Sequence, residues 1–125
     1  MGAIENEETA VKQVLDSYAE AVYNGDAQTL GMLFHPTAVM NGYLGDRLLI
    51  GGPKPFLDDI AEHPPMAESA PGFTWRFSAV HVSGRTATAT LHEKGFFGAF
   101  DFVNYFHLLK EDGRWRITSK TFESL

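Results

Sequence analysis

Three polar side chains sit where their neighbours are apolar, and each has chemistry to offer. Asn104 falls between Phe102 and Phe106, on a period-two face that also carries Phe100 and Leu108. An amide there donates through its NH₂ and accepts through its oxygen, but it is neither an acid nor a base. Buried without partners it would cost roughly 1–3 kcal/mol. Glu93 continues the face of Ala87, Ala89 and Leu91. Either its carboxylate reaches a cavity mouth, where low dielectric lifts its pKa towards a useful value, or it marks where the strand leaves the core and meets water. Tyr18 lies near the centre of a helical apolar stripe. It is either a core tyrosine whose hydroxyl finds some partner or the polar tip of a pocket.

Other candidates are weaker. His35 precedes Pro36 at the end of a short helix, where it is expected to bond the last carbonyls, and it is also a candidate ligand contact. His81 and His92 flank the Ser83-Gly84 turn and are expected to face one another, yet two histidines without a carboxylate make a poor metal site. With His35, His63 and His107 they show no H-x-x-x-H or H-E-x-x-H spacing, so no metal site is expected. No P-loop, dinucleotide fingerprint or G-x-S-x-G elbow occurs, and no cofactor is expected. Met40, Tyr43, Met66, Phe73 and Trp75 would suit a wall that sandwiches a flat heteroaromatic or polyketide-like molecule.

These residues need elements to position them. Val11, Val14, Leu15, Tyr18, Ala21 and Val22 recur at helical spacing behind Glu5, Glu7 and Glu8, whose charge suits a helix N-terminus. Asn24-Gly25 ends that helix, and Asp26 caps a second one reaching towards Phe34. Short strands are expected over Ala38–Leu44 and Arg47–Ile50, then a third helix with Phe56, Leu57 and Ile60 on one side, closed by His63-Pro64-Pro65. Met66 to Gly72 reads as loop. From Phe73 the period becomes two. Phe73, Trp75, Phe77 and Ala79 share a face, Ala87, Ala89 and Leu91 another, and Asp112-Gly113 turns the last hairpin towards Trp115 and Ile117. Helices followed by an antiparallel meander predict an α+β domain with helices on one face of a curved sheet, and no linker divides residues 1–125.

The totals narrow the classes. The chain has 125 residues, 44% hydrophobic and 21% charged, which is a globular composition. Ten phenylalanines imply a bulky core, an apolar cavity or a subunit interface. A net charge of −6 argues against nucleic acid or an anionic membrane as the main partner. The absence of cysteine removes disulfides and thiolate chemistry. The first ten residues lack a basic and an apolar segment, position 6 is Asn where acylation of Gly2 would need Ser or Thr, and no apolar run is long enough to span a bilayer. A cytoplasmic protein is expected.

Two stretches, VLDSYAEAVYNGDAQTLGMLFHPTAVM and LLKEDGRWRITSKTF, resemble the nuclear transport factor 2-like superfamily, and within it the "putative lumazine-binding" group close to the SnoaL-like proteins. The resemblance spans about Glu7 to Phe122. It rests on the Tyr18 to Asp26 register, the Phe34-His35-Pro36 step and the terminal hairpin, in that order. It implies a cone-shaped half-barrel, the cystatin-like architecture, in which a mainly antiparallel sheet wraps a long N-terminal helix and leaves a cavity. It also implies a homodimer through the sheet, for which Asp101, Val103, Tyr105, His107 and Leu109 form a suitable outer strip. In ketosteroid isomerases of this superfamily, the tyrosine in the Tyr18 position donates to a developing enolate oxygen, which an apolar site strengthens. The group often has aspartate where this chain reads Asn104, in NYFHLLK, and the isomerase base would fall at Asn41 or Gly42, neither of which takes a proton. The isomerase activity itself is therefore not expected.

Fold alone does not fix function. The leading expectation is a domain that holds a small apolar or aromatic molecule in its cone. Its candidate contacts are Tyr18, His35, Met40, Tyr43, Phe73, Trp75, Phe102, Asn104 and Phe106. Two alternatives stand beside it: an isomerase, cyclase or dehydratase with Tyr18, Asn104 and Glu93 as candidate catalytic residues, and a protein-interaction domain with a filled cone.

Overall fold

The stripe of Val11, Leu15, Tyr18 and Val22 becomes the buried face of α1 (Ala3–Asn24), where each is at most 1% exposed. Each such side chain contributes about 1.5–3 kcal/mol by leaving water. The computed structural model describes residues 3–125, with side chains from residue 6 onward. Met1 and Gly2, and the side chain of Glu5, lie outside the described residues. Among the described residues no helix is long and apolar enough to cross a membrane.

One Gly-Asp step ends α1 and starts the next helix. Gly25 adopts φ +68°. Its N–H donates to the Val22 carbonyl at 3.3 Å, and the Asp26 N–H donates to that of Ala21 at 2.8 Å, which together satisfy the orphan carbonyls. The Asp26 carboxylate then accepts from the Thr29 N–H at 3.1 Å and opens α2 (Ala27–Leu33).

The first strand, β1 (Phe34–Leu44), begins earlier than its period suggested, because Phe34 already pairs with Ile117. A turn at Gly45 leads to β2 (Arg47–Leu49). Pro53 precedes α3 (Lys54–Glu62). The stretch expected as loop contains a one-turn helix, α4 (Met66–Ser69), whose Met66 is fully buried. Four long strands follow: β3 (Thr74–Ser83), β4 (Thr86–Phe96), β5 (Phe100–Glu111) and β6 (Arg114–Ser124). They form a six-stranded sheet in the order β2-β1-β6-β5-β4-β3. Only β1 and β6 run parallel; every other neighbour is antiparallel.

Two irregularities re-aim side chains. In β3, Ala79 takes φ +50° where the register shifts. Beyond it Val80 and Val82 are partly buried and Ala79 is exposed, so the expected alternation breaks there. The Ser83-Gly84 turn itself sets His81 opposite Thr88, and His92 lies opposite Arg76, so the two histidines do not form the expected pair. In β6, Ile117 pairs with Leu108 but Ser119 pairs with His107, leaving Thr118 as an extra residue. Trp115 and Ile117 are buried before it; Lys120 and Phe122 are buried after it.

The β1–β6 seam is tight at Gly42. A Cβ there would run into the carbonyl and ring of Phe122. Gly42→Ala is expected to destabilise the protein by about 1–3 kcal/mol, as overpacking does. A urea midpoint equal to that of the unaltered protein would contradict this packing.

Candidate functional site

Three neighbouring strands each place one polar side chain on the buried face. Glu93 on β4 is 3% exposed, Asn104 on β5 is 1% and Lys120 on β6 is 5%. Glu93 is therefore not the strand's exit into solvent; β4 continues to Phe96. The Asn104 NH₂ donates to the Leu91 carbonyl at 3.1 Å and to Glu93 Oε1 at 2.7 Å, and these two acceptors fix the orientation of the amide. The Lys120 amine donates to the Tyr18 hydroxyl at 2.6 Å. It lies 4.3 Å from the Phe56 ring centre and 5.3 Å from those of Tyr18 and Phe122.

Burial shifts all three titratable groups towards their neutral forms. The Glu93 carboxyl is raised chiefly by burial, against the charge of Lys120 and the Asn104 hydrogen bond. Burial lowers Lys120 to about 8, against the charge of Glu93. Tyr18 is held well above its ordinary value by burial and by the charge of Glu93. The rings around Lys120 favour its ammonium by about 0.5–2 kcal/mol. Taking an ion out of water costs several kcal/mol, so desolvation prevails. Two acceptors remain open: Glu93 Oε2 and Asn104 Oδ1 are buried without a hydrogen-bond partner.

Glu93 and Lys120 form the floor of a cavity of about 770 Å³. Its walls come from Met40 on β1, Phe56 and Ile60 on α3, and the aromatic rings of Phe97, Phe102 and Phe122. Arg47, Asp59 and His63 also line it. Phe97 sits in the β4–β5 turn at φ +49°, a conformation that costs a bulky residue of order 1–3 kcal/mol. A separate depression of about 550 Å³ lies by the β5–β6 turn, but its Lys110 is already paired with Glu7 at 3.0 Å. Among the described residues no group of three or more His, Asp or Glu is placed to hold a metal.

The residues expected at the site divide into four groups. Met40, Phe102 and Glu93 line the cavity. Tyr18 and Asn104 stand one hydrogen bond behind it, through Lys120 and Glu93. Phe106 is a further layer back, edge-on to Tyr18 at 5.1 Å. The remainder lie elsewhere. Phe73 stacks on Tyr23 and stands behind the cavity-lining Phe96, edge-on at 6.2 Å, and Trp75 donates to Asp16 at 3.4 Å. Tyr43 is outward and 44% exposed. His35 does not bond the helix carbonyls. It meets Thr37 at 2.8 Å and Glu111 at 3.1 Å, because the chain turns straight into β1. Asn41 accepts from the Gly51 N–H at 3.1 Å, a structural role.

Sequence reasoning missed Lys120, the central cation. The available signal was the spacing of Lys120 and Phe122, which share a strand face. It also missed α3 as the cavity's lid, since Phe56 and Ile60 read simply as an apolar helix face.

A family model described as "Putative lumazine-binding" matches residues 6–123. An NTF2-like protein of unknown function from Shewanella baltica is 25% identical, with a TM-score of 0.87 over 100% of this chain and 98% of its own. One from Methylobacillus flagellatus is 26% identical, with a TM-score of 0.84 over 100% and 95%. A structure described as a "putative dehydratase from the NTF2-like family", from Streptomyces avermitilis, shares the fold at 20% identity and a TM-score of 0.68, covering 97% of each chain. No curated protein matches the chain.

The buried amine makes stability depend on pH. Its pKa falls from 10.5 in the unfolded chain to about 8 in the fold. The unfolded chain thus binds more protons between those values, and stability rises with pH across them. The penalty is full below about 8 and is recovered towards 10.5. Lys120→Met keeps the length and removes the charge. It is expected to stabilise the fold by roughly 2–3 kcal/mol at pH 7, with the gain gone by about pH 10.5. Urea unfolding at the two pH values checks this, and an equal gain at both would refute it.

Proposed function

This chain belongs to the "Putative lumazine-binding" family of NTF2-like proteins, and we propose that its cone holds a small, largely apolar or aromatic molecule anchored by Lys120 and Glu93. One observation carries the reading. A carboxyl and an amine are kept on the floor of a cavity walled mainly by apolar and aromatic side chains, and the carboxyl's Oε2 is buried with no partner. An unmade hydrogen bond of this kind costs about 1–3 kcal/mol, which packing alone gives no reason to retain. A turn of the carboxyl that brings this oxygen to the cavity would let a bound N–H or O–H satisfy it. The cavity's volume of about 770 Å³ suits a ligand of a few fused rings.

The polar contacts expected from Tyr18 and Asn104 pass to their partners. Tyr18 seats the amine and Asn104 seats the carboxyl, so both act as positioning residues. The open cavity weighs against a filled, purely protein-binding cone. On the outer face of β5, Tyr105 is 55% exposed beside Val103 and Leu109, and this strip supports pairing of two chains through their sheets.

A second reading, an enzyme of the isomerase, cyclase or dehydratase kind, is favoured by the opposed shifts of Glu93 upward and Lys120 downward. A carboxyl raised and an amine lowered in one cavity can act as acid and base towards a substrate. In that case Lys120, not Tyr18, faces the developing oxyanion, because the phenol lies behind it.

Native mass spectrometry of protein purified from its own host should retain a small-molecule mass. Binding of 8-anilino-1-naphthalenesulfonate, an aromatic anion, tests the cone directly. Met40→Trp, which fills the cavity, and Lys120→Met, which removes the cation, are each expected to weaken binding about tenfold or more. Fluorescence titrations unaffected by either substitution would place the dye, and the proposed site, elsewhere.

A further inference from the structure

Lys120 differs from the paired lysines of this chain. Lys54 bonds Asp58 at 2.8 Å and Lys110 bonds Glu7 at 3.0 Å, both carboxylates. Lys120 has a neutral phenol as its hydrogen-bond partner, aromatic rings around it and a ligand-sized cavity in front of it. Resting on the reading that the cone holds a small apolar molecule, we infer that Lys120 is an amine nucleophile that forms a covalent imine with an aldehyde or ketone bound there.

The geometry supplies each part of that reaction. Nζ is tethered at one end by the Tyr18 hydroxyl, 2.6 Å away, so the amine is held in place as the carbonyl carbon approaches. Phe56, Phe102 and Phe122 supply the faces against which an apolar carbonyl compound packs. Glu93 lines the same floor and has a free Oε2. Burial also lowers the amine to about 8, which leaves roughly a quarter of it neutral at pH 7.5.

The step balances with these groups alone. The lone pair of neutral Lys120 attacks the carbonyl carbon, a C–N bond forms and the carbonyl π pair moves to oxygen. Transfer of one amine proton to that oxygen gives a neutral carbinolamine. The protonated Glu93 carboxyl then gives its proton to the hydroxyl, the C–O bond breaks and water leaves. The products are an iminium on Lys120, a Glu93 carboxylate lining the same cavity and one water. Burial favours the protonated carboxyl beforehand, and the new cation favours the carboxylate afterwards. Asn104 holds the other carboxyl oxygen at 2.7 Å throughout.

Reductive trapping tests this. The full chain is incubated at pH 7.5 with 6-methoxy-2-naphthaldehyde and sodium cyanoborohydride, and the labelled lysines are located by peptide mapping. Lys120 is expected to label at least about tenfold faster than Lys12, Lys54, Lys94 or Lys110, and this preference should vanish in urea-unfolded protein. Lys120→Arg should abolish the adduct and leave the other lysines labelling as before. Equal labelling of all five lysines in the folded protein would overturn the proposal, and that comparison needs no variant. Equilibrium binding of the unreactive 6-methoxy-2-naphthalenemethanol separates the two readings. If the alcohol enters the cone but Lys120 is not preferentially trapped, the imine fails and the binding reading stands. If neither compound binds, both fail.

Discussion

A primary amine buried among aromatic rings must be held by something, and here the 2.6 Å hydrogen bond from Lys120 to Tyr18 does it. That bond joins the middle of α1 to β6, the central seam of the sheet. Phe56 lies 4.3 Å above the same amine and brings α3 over the cavity. Helix, sheet and lid therefore meet at one nitrogen atom. Loss of the phenol would leave the amine short of a partner where water is scarce, and loss of the amine would leave an apolar hollow that the surrounding rings could fill. The stability of the fold and the polarity of its cavity are in this sense opposed.

The same opposition recurs across the floor. Asn104 satisfies half of Glu93 and leaves the other half open, while its own oxygen goes unpaired. Phe97 presents its ring to the cavity from a left-handed backbone. These local costs lie around one hollow, and the opposite end of the molecule is fastened by charged contacts. There Glu7 takes hydrogen bonds from both Lys110 and Trp115 and fastens the start of α1 to the last hairpin. The Glu7 contacts hold the frame at one end, and two open acceptors, Glu93 Oε2 and Asn104 Oδ1, lie at the cavity end.

What could be read from the residues follows the same division. Regular segments were legible: the stripe of α1, the Gly25-Asp26 step, and the inward face of β5, whose period of two runs unbroken from Phe102 to Leu108. Asn104 was therefore placed correctly on the buried face. Lys120 was legible only from its spacing to Phe122, because Thr118 adds one residue to β6 and reverses which side chains point inward. Extending the alternation from Trp115 and Ile117 places Lys120 outside, where a lysine is also expected by type. Phe73 and Trp75 were aromatic and inward but face a different part of α1, a distinction that depends on sheet curvature. His35 was assigned to a helix end because its partner, Glu111, is distant in sequence.

The seam that holds Lys120 also bears on time. Tyr18 and Lys120 are 102 residues apart in sequence, and β1 reaches β6 only across the intervening helices and hairpins. Closing such a separation has a high entropic cost before any contact rewards it, and topologies of this kind fold slowly. The β3–β4 and β5–β6 hairpins can form from local contacts, but the cavity lacks its Met40 wall until the long-range parallel pairing is made. A molecule bound there stabilises only the completed state, by mass action. Occupancy of the cone would then slow the reopening of the β1–β6 seam, and the lifetime of the folded chain would depend on the concentration of its ligand.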